Sequence, residues 1–164
     1  CNLRTYLIKH GERTSGQPDD LALLLRMLGR RHEQQQLSQY PSYVDLSNGD
    51  FSSRQQQTLI SIRERKTILS QPVLFATFPD QDKTLVMGIP DVLILEQDEY
   101  IIRDFKLALS IDAINRPDTL RQLGLYGWLY EQNFGHPPLR LEIALGDGSI
   151  REIPYDGGCE PRSG

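Results

Sequence analysis

The sharpest pattern in the chain is a pair of apolar runs around a polar reversal, in MGIPDVLILEQDEYIIRDFKLA. Alternation and β-branched content predict two antiparallel strands turning at Glu96-Gln97-Asp98-Glu99. A loop centred on Gln97-Asp98 sets the register. Leu95 then faces Tyr100, Leu93 faces Ile102 and Asp91 faces Asp104. Side chains repeat with period two along a strand, so Lys106 shares the face of Asp104. The pattern brings two carboxylates and one ammonium onto one patch of sheet. Opposed carboxylates repel, and a divalent cation between them would remove that cost. A solvated face with an Asp–Lys cross-strand ion pair fits the same residues.

Helical periodicity dominates before this hairpin. Residues 1–10 read as a short helix or an ordered lead-in, and Gly11 to Pro18 as loop. Pro18-Asp19-Asp20 has the composition of a helix start. Leu21, Leu24, Leu25 and Leu28 form an apolar stripe on a helix expected to reach about Gln39. Tyr43 to Asp50 reads as loop with room for a short strand. Ser52 or Ser53 is placed to cap a second helix running to about Ser70, with Leu59, Ile62 and Leu69 facing inward. The glutamine triplets at 34–36 and 55–57 read as solvated faces of these two helices. From Pro72 the period shortens: PVLFATF predicts a strand and DQDK a turn. Pro117-Asp118 opens a third helix to about Phe134, closed by Gly135 and Pro137-Pro138. LRLEIAL and SIREIPY predict a last hairpin around Gly146-Asp147-Gly148. The order implies a mixed α+β (α/β) fold, a central mixed sheet flanked by helices after an N-terminal helical segment.

Composition narrows the function classes. At 164 residues the chain is long enough for one domain with a sizeable core. The expected division is a mainly helical part to residue 70, a sheet-and-helix core over 71–156 and a tail over 157–164. No apolar run approaches membrane-span length, no signal-peptide pattern opens the chain, and the two cysteines do not make a disulfide framework, so a reducing, cytoplasmic setting is expected. The first residue is Cys rather than Met, so a fragment of a longer chain is expected. A net charge of −4 argues mildly against a passive nucleic-acid-binding module. It leaves room for local contact through Arg26, Arg30 and Arg31, or Arg63, Arg65 and Lys66, clusters that also fit solvated helix faces.

Two further features carry chemistry. His32, in GRRHE, falls on the apolar stripe of the first helix. Gln122 and Tyr126 are four apart and share a face of the third. Taken alone, His32 reads as a core histidine, and Gln122 with Tyr126 as amphipathic packing.

Together these residues resemble the RecB-like branch of the PD-(D/E)XK nuclease superfamily, which has a restriction-endonuclease-like core. The resemblance rests on Gly29-Arg30-Arg31-His32 (G-x-x-H), Gly88-Ile89-Pro90-Asp91 (G-x-x-D), Asp104-Phe105-Lys106 (D/E-x-K) and Gln122 to Tyr126 (Q-x-x-x-Y). All four occur in the branch's order, and the chain is similar in them to the CRISPR-associated RecB-like and helicase-fused nuclease domains. The resemblance implies that His32, Asp91, Asp104 and the Phe105 backbone carbonyl hold Mg²⁺ or Mn²⁺. Asp91, Asp104 and Lys106 would be catalytic, with Lys106 positioning or deprotonating the attacking water or steadying the developing charge. Gln122 and Tyr126 would bind substrate. The implied reaction is hydrolysis of DNA phosphodiesters, exonucleolytic before endonucleolytic, on single strands or DNA ends. The implied setting is DNA repair, recombination or CRISPR-type defence, with a helicase or another nuclease-complex subunit as partner. A catalytically silent DNA-binding or scaffold module is the alternative. Many members carry four cysteines for an iron–sulfur cluster. This chain has two, Cys1 and Cys159, so the cluster is completed beyond the chain, or is absent and the two cysteines are unrelated.

Overall fold

The computed structural model describes residues 20–78, 84–107, 117–155 and 157. The expectations for residues 1–19, the DQDK turn, the Leu21 side chain and most of the 157–164 tail lie outside the described residues, as do Cys1 and Cys159. The fold is mixed α+β. Helix α1 (Asp20–Leu37) is followed by β1 (Val44–Asp45), α2 (Phe51–Arg63), β2 (Ile68–Ser70), β3 (Leu74–Thr77) and β4 (Leu85–Gly88). Next come β5 (Val92–Glu96), β6 (Glu99–Lys106), α3 (Pro117–Phe134), β7 (Arg140–Leu145) and β8 (Ile150–Ile153). Six strands form a central mixed sheet in the order β1-β2-β5-β6-β7-β8, and β3 pairs with β4 in a small second sheet. No helix among the described residues is long and apolar enough to cross a membrane.

The β5–β6 hairpin has the expected register, with Leu95 opposite Tyr100 and Leu93 opposite Ile102. Its two-residue turn places Gln97 (φ 49°) and Asp98 (φ 72°) in the left-handed region. Two successive positive φ values match the right-handed twist of the flanking strands and keep the pairing in step. Arg65 pairs with Asp98 at the turn. Both side chains are largely exposed, so the pair contributes at most about 1 kcal/mol, and apolar packing holds the hairpin.

The sheet separates two cores by strand parity. Leu93, Tyr100 and Ile102 pack with Leu123, Tyr126 and Leu129 of α3. Val92 and Phe105 pack on the other face with Ile68 and Ala144, capped by Leu37 and Tyr40 at the end of α1. The third helix and the last hairpin follow the sequence reading, and Gly135 ends α3 with φ 77°.

Three expectations are corrected. The second helix does not reach Ser70: it ends at Arg63, Arg65 turns left-handed (φ 57°), and Leu69 is buried in strand β2. The cap of that helix is Asp50, whose carboxylate accepts the Ser52 and Ser53 N–H groups, so neither serine is the cap. Its fully buried residues are polar, Arg54, Thr58 and Ser61; Ile62 packs against the core as expected, and Leu59 is half-buried. The α1 stripe is not core either: Leu24 and Leu25 are 51% and 54% exposed, and Leu28 is also exposed. The contacts between α1 and the sheet core come from its second half, at His32 and Leu37, which leaves the leucines of the first half outside.

Candidate functional site

Pro90 has no N–H to continue a ladder, and the chain forks beside it. Gly88 ends β4 in the small sheet and Val92 begins β5 in the central one, with Asp91 between them. Gly88 is required by packing. A Cβ there would lie 2.5 Å from Leu129 Cδ1 and 3.0 Å from Tyr126 Cδ1, so this strand end touches α3 directly.

Pairing of β5 with β6 reaches Val92 opposite Arg103, so the next step brings Asp91 beside Asp104. Asp91 Oδ2 accepts the Phe105 N–H at 2.6 Å. A strand residue's N–H and C=O leave the same edge, so the Phe105 carbonyl also projects on the Asp91 side. Asp104 is 2% exposed. Lys106 Nζ stands 2.6 Å from Asp104 Oδ2 and donates to Gln122 Oε1 at 3.1 Å. Gln122 Nε2 donates to the Tyr126 hydroxyl oxygen at 2.7 Å. The ammonium can only donate, so it takes the amide oxygen and turns the amide nitrogen towards the phenol. Asp104, Lys106, Gln122 and Tyr126 thus form one polar chain from sheet to helix. Burial pushes the Tyr126 hydroxyl above its ordinary pKa and keeps it protonated.

His32 is 7% exposed and meets the edge of the Phe105 ring, with ring centres 6.5 Å apart. The Phe105 side chain lies on the opposite face from Asp104 and Lys106, so His32 approaches from the other side of the strand. Phe105 joins the two sides, its ring on His32 and its N–H on Asp91. Burial pushes His32 below its ordinary pKa, which favours the neutral, ligating imidazole.

Two residues missing from the sequence reading belong to this neighbourhood. Glu33 follows His32 about 100° further round the helix, off the apolar stripe. Its carboxyl is pushed up by burial and then by the Asp104 carboxylate, opposed by Arg30 and Lys106. Gln71 is in the left-handed region (φ 55°), and its side-chain amide lies 3.4 Å from Asp91 Oδ1. The buried polar face of α2 holds it there. Arg54 donates to the carbonyls of Leu46 and Gln71, and Thr58 Oγ1 accepts the Val73 N–H. No sequence period marks Gln71, because its position follows from that tertiary clamp.

Burial and then the neighbouring Asp104 carboxylate raise the Asp91 pKa to about 8, against the Phe105 N–H and Lys106, which lower it. Asp91, Asp104 and Glu33 thus place three carboxyl groups around one lysine, and their mutual repulsion is what a cation would relieve. Two buried side-chain atoms among the described residues have no hydrogen-bond partner, His32 Nε2 and Asp104 Oδ2. The 2.6 Å approach of Lys106 to Asp104 Oδ2 is an ion pair not aligned as a hydrogen bond. An imidazole nitrogen and carboxylate oxygens suit Mn²⁺, and the carboxylates suit Mg²⁺. The donor chemistry therefore fits such an ion. The donors are not drawn together: among the described residues no three His, Cys, Asp or Glu side chains are grouped so as to hold a metal as they stand. Lys106 and the Phe105 N–H occupy the carboxylates instead.

No protein-family model matches the chain, and no curated protein matches it. Among solved structures, the crystal structure of SSO0001 aligns over 86% of this chain and 80% of that one, at 12% identity and a TM-score of 0.42.

Proposed function

We propose that the protein is a metal-dependent deoxyribonuclease of the RecB-like type. The observation that carries the reading is the convergence of Asp91, Asp104 and Lys106 on one face of the hairpin, with His32 Nε2 buried without a hydrogen-bond partner beyond Phe105. Leaving the imidazole nitrogen unsatisfied costs about 1–3 kcal/mol, and it and the carboxylate oxygens are good ligands for a hard or borderline cation. A bound Mg²⁺ or Mn²⁺ would polarise the scissile phosphate and acidify water. His32, Asp91, Asp104 and the Phe105 carbonyl are the groups to hold it.

The protein's own groups do the rest. Lys106, held by Asp104 and Gln122, would position or deprotonate the attacking water or oppose charge building on the phosphate oxygens. Gln122 fixes the direction of Lys106, and Tyr126 fixes Gln122. Hydrolysis leaves a 5′-phosphate and a 3′-hydroxyl. Single-stranded DNA or DNA ends are the substrates of this reading, and a helicase or nuclease-complex subunit in the cytoplasm is its partner.

The occupied carboxylates favour a second reading, a catalytically silent DNA-binding scaffold in which Lys106 takes the place of the cation. A cleavage assay separates the two. The nuclease reading expects degradation of single-stranded DNA with Mg²⁺ or Mn²⁺, arrest by EDTA and little turnover with Ca²⁺. DNA binding without cleavage under any of these ions would establish the scaffold instead.

A further inference from the structure

Beside the Asp91–Asp104 patch, a cavity of about 430 Å³ opens between the second half of α1 and the edge of the central sheet. That volume lies in the usual range of small-ligand sites. Its walls include Arg30, Glu33 and Gln34 from α1, and Tyr43, Asp45 and Gln71 from the sheet side. Gln71 ties the cavity to the site, since its side-chain amide also lies 3.4 Å from Asp91 Oδ1. A second hollow of about 220 Å³ shares Tyr43 and continues along the edge to Lys66.

We propose that this cavity is a nucleobase pocket, which takes one unstacked base of a single DNA strand next to the scissile phosphate. The inference rests on the nuclease reading for the identity of the strand. The wall chemistry selects a base over a phosphate. Two carboxylates, Glu33 and Asp45, face one cation, Arg30, which is a poor balance for holding a phosphate. Carboxylates accept from base amino groups, as Asp and Glu do from cytosine N4, and the amides of Gln34 and Gln71 match base edges that both donate and accept. Tyr43 is 43% exposed at the rim. Isolated exposed aromatics are common, but this ring borders both hollows, where a base can stack on it. Arg30 lines the cavity and Lys66, which also pairs with Glu64, lines the second hollow, so each offers a cation for a flanking phosphate. A paired base cannot enter such a pocket without leaving its stack, so the site favours single strands over duplex.

The test is fluorescence anisotropy with short fluorescein-labelled oligo(dC), oligo(dT) and a duplex, in Ca²⁺, alongside cleavage in Mg²⁺. Tyr43→Ala should weaken oligo(dC) binding by about 5-fold or more, the scale of one lost base stack. Tyr43→Phe should restore it, and duplex binding and thermal midpoint should not change. In cleavage, Tyr43→Ala should raise KM more than it lowers kcat. Oligo(dC) should bind more tightly than oligo(dT), which lacks an exocyclic amino group. Equal oligo(dC) affinities for wild type and Tyr43→Ala, or tighter binding of oligo(dT), would overturn the pocket. Tyr43-dependent binding with no cleavage in the wild type supports the pocket and overturns only the nuclease reading. Cleavage with Tyr43-independent binding does the reverse.

Discussion

The two faces of β6 carry the candidate site in opposite ways. On the α3 face, Asp104, Lys106, Gln122 and Tyr126 are linked in one chain of contacts at 2.6, 3.1 and 2.7 Å. On the α1 face, His32 packs on the Phe105 ring and leaves its Nε2 without a partner. One side is pre-organised and internally satisfied. The other holds an unmet donor–acceptor demand. In a protein interior where nearly all buried polar groups are paired, the first face is held in place by its own contacts, while the second leaves one imidazole nitrogen free for a partner. Phe105 links them, because its backbone binds Asp91 while its ring supports His32.

The largest effect that would break this comparison is at Lys106. Lys106→Ala should retain metal yet lose cleavage rate by about 10²-fold or more, measured by single-turnover kinetics. Unchanged kinetics would reduce the α3 chain to packing. Gly88→Ala comes next, because its new methyl must displace Leu129 and the Tyr126 ring. Overpacking of this kind costs about 1–3 kcal/mol. The thermal midpoint should fall, and activity should fall with it through the Tyr126–Gln122–Lys106 line. A Gly88→Ala protein of normal stability and activity would show that α3 yields freely there.

The pH dependence tests the crowding of carboxylates. The Asp91 pKa is raised from 3.8 to about 8, first by burial and then by Asp104. A raised folded-state pKa gives stability that is fully present below the unfolded value and lost as pH climbs through the folded one. The metal-free protein should therefore lose this contribution between about pH 4 and pH 8. Mn²⁺ affinity should rise over the same interval, because ligation needs the ionised carboxylate. Thermal midpoints with EDTA and with Mn²⁺ should diverge as pH rises, and parallel curves would remove Asp91 from the ligand set. The smallest effect belongs to Tyr126→Phe. It removes one hydroxyl and keeps the ring, so cleavage should drop modestly while stability falls by no more than about 1 kcal/mol. A large loss of stability with normal specific activity would assign Tyr126 to packing.

The same contrast explains what the sequence discloses. Strand parity and a two-residue turn are local rules, and they suffice to set Asp91 beside Asp104 with Lys106 on the same face. Four-residue spacing suffices for Gln122 and Tyr126. The seat of α1 is set by distant packing. Periodicity therefore identifies His32 as a buried position but misses that Leu24 and Leu25 lie outside the core. The end of α2 is missed because Arg65 takes a left-handed backbone that its residue type does not announce, and the β-branched run at Thr67-Ile68 then enters the sheet. Gln71 and Glu33 are invisible for a related reason, since their neighbours are far away in sequence.

The most direct measurement of the central claim is a calorimetric Mn²⁺ titration of wild type, His32→Ala and Asp104→Ala. If His32 Nε2 and Asp104 Oδ2 are cation ligands, the wild type binds Mn²⁺ and Asp104→Ala loses that binding. His32→Ala binds about tenfold or more weakly, and neither metal-free variant unfolds. Equal affinity in all three proteins, or no binding by the wild type, would contradict the account.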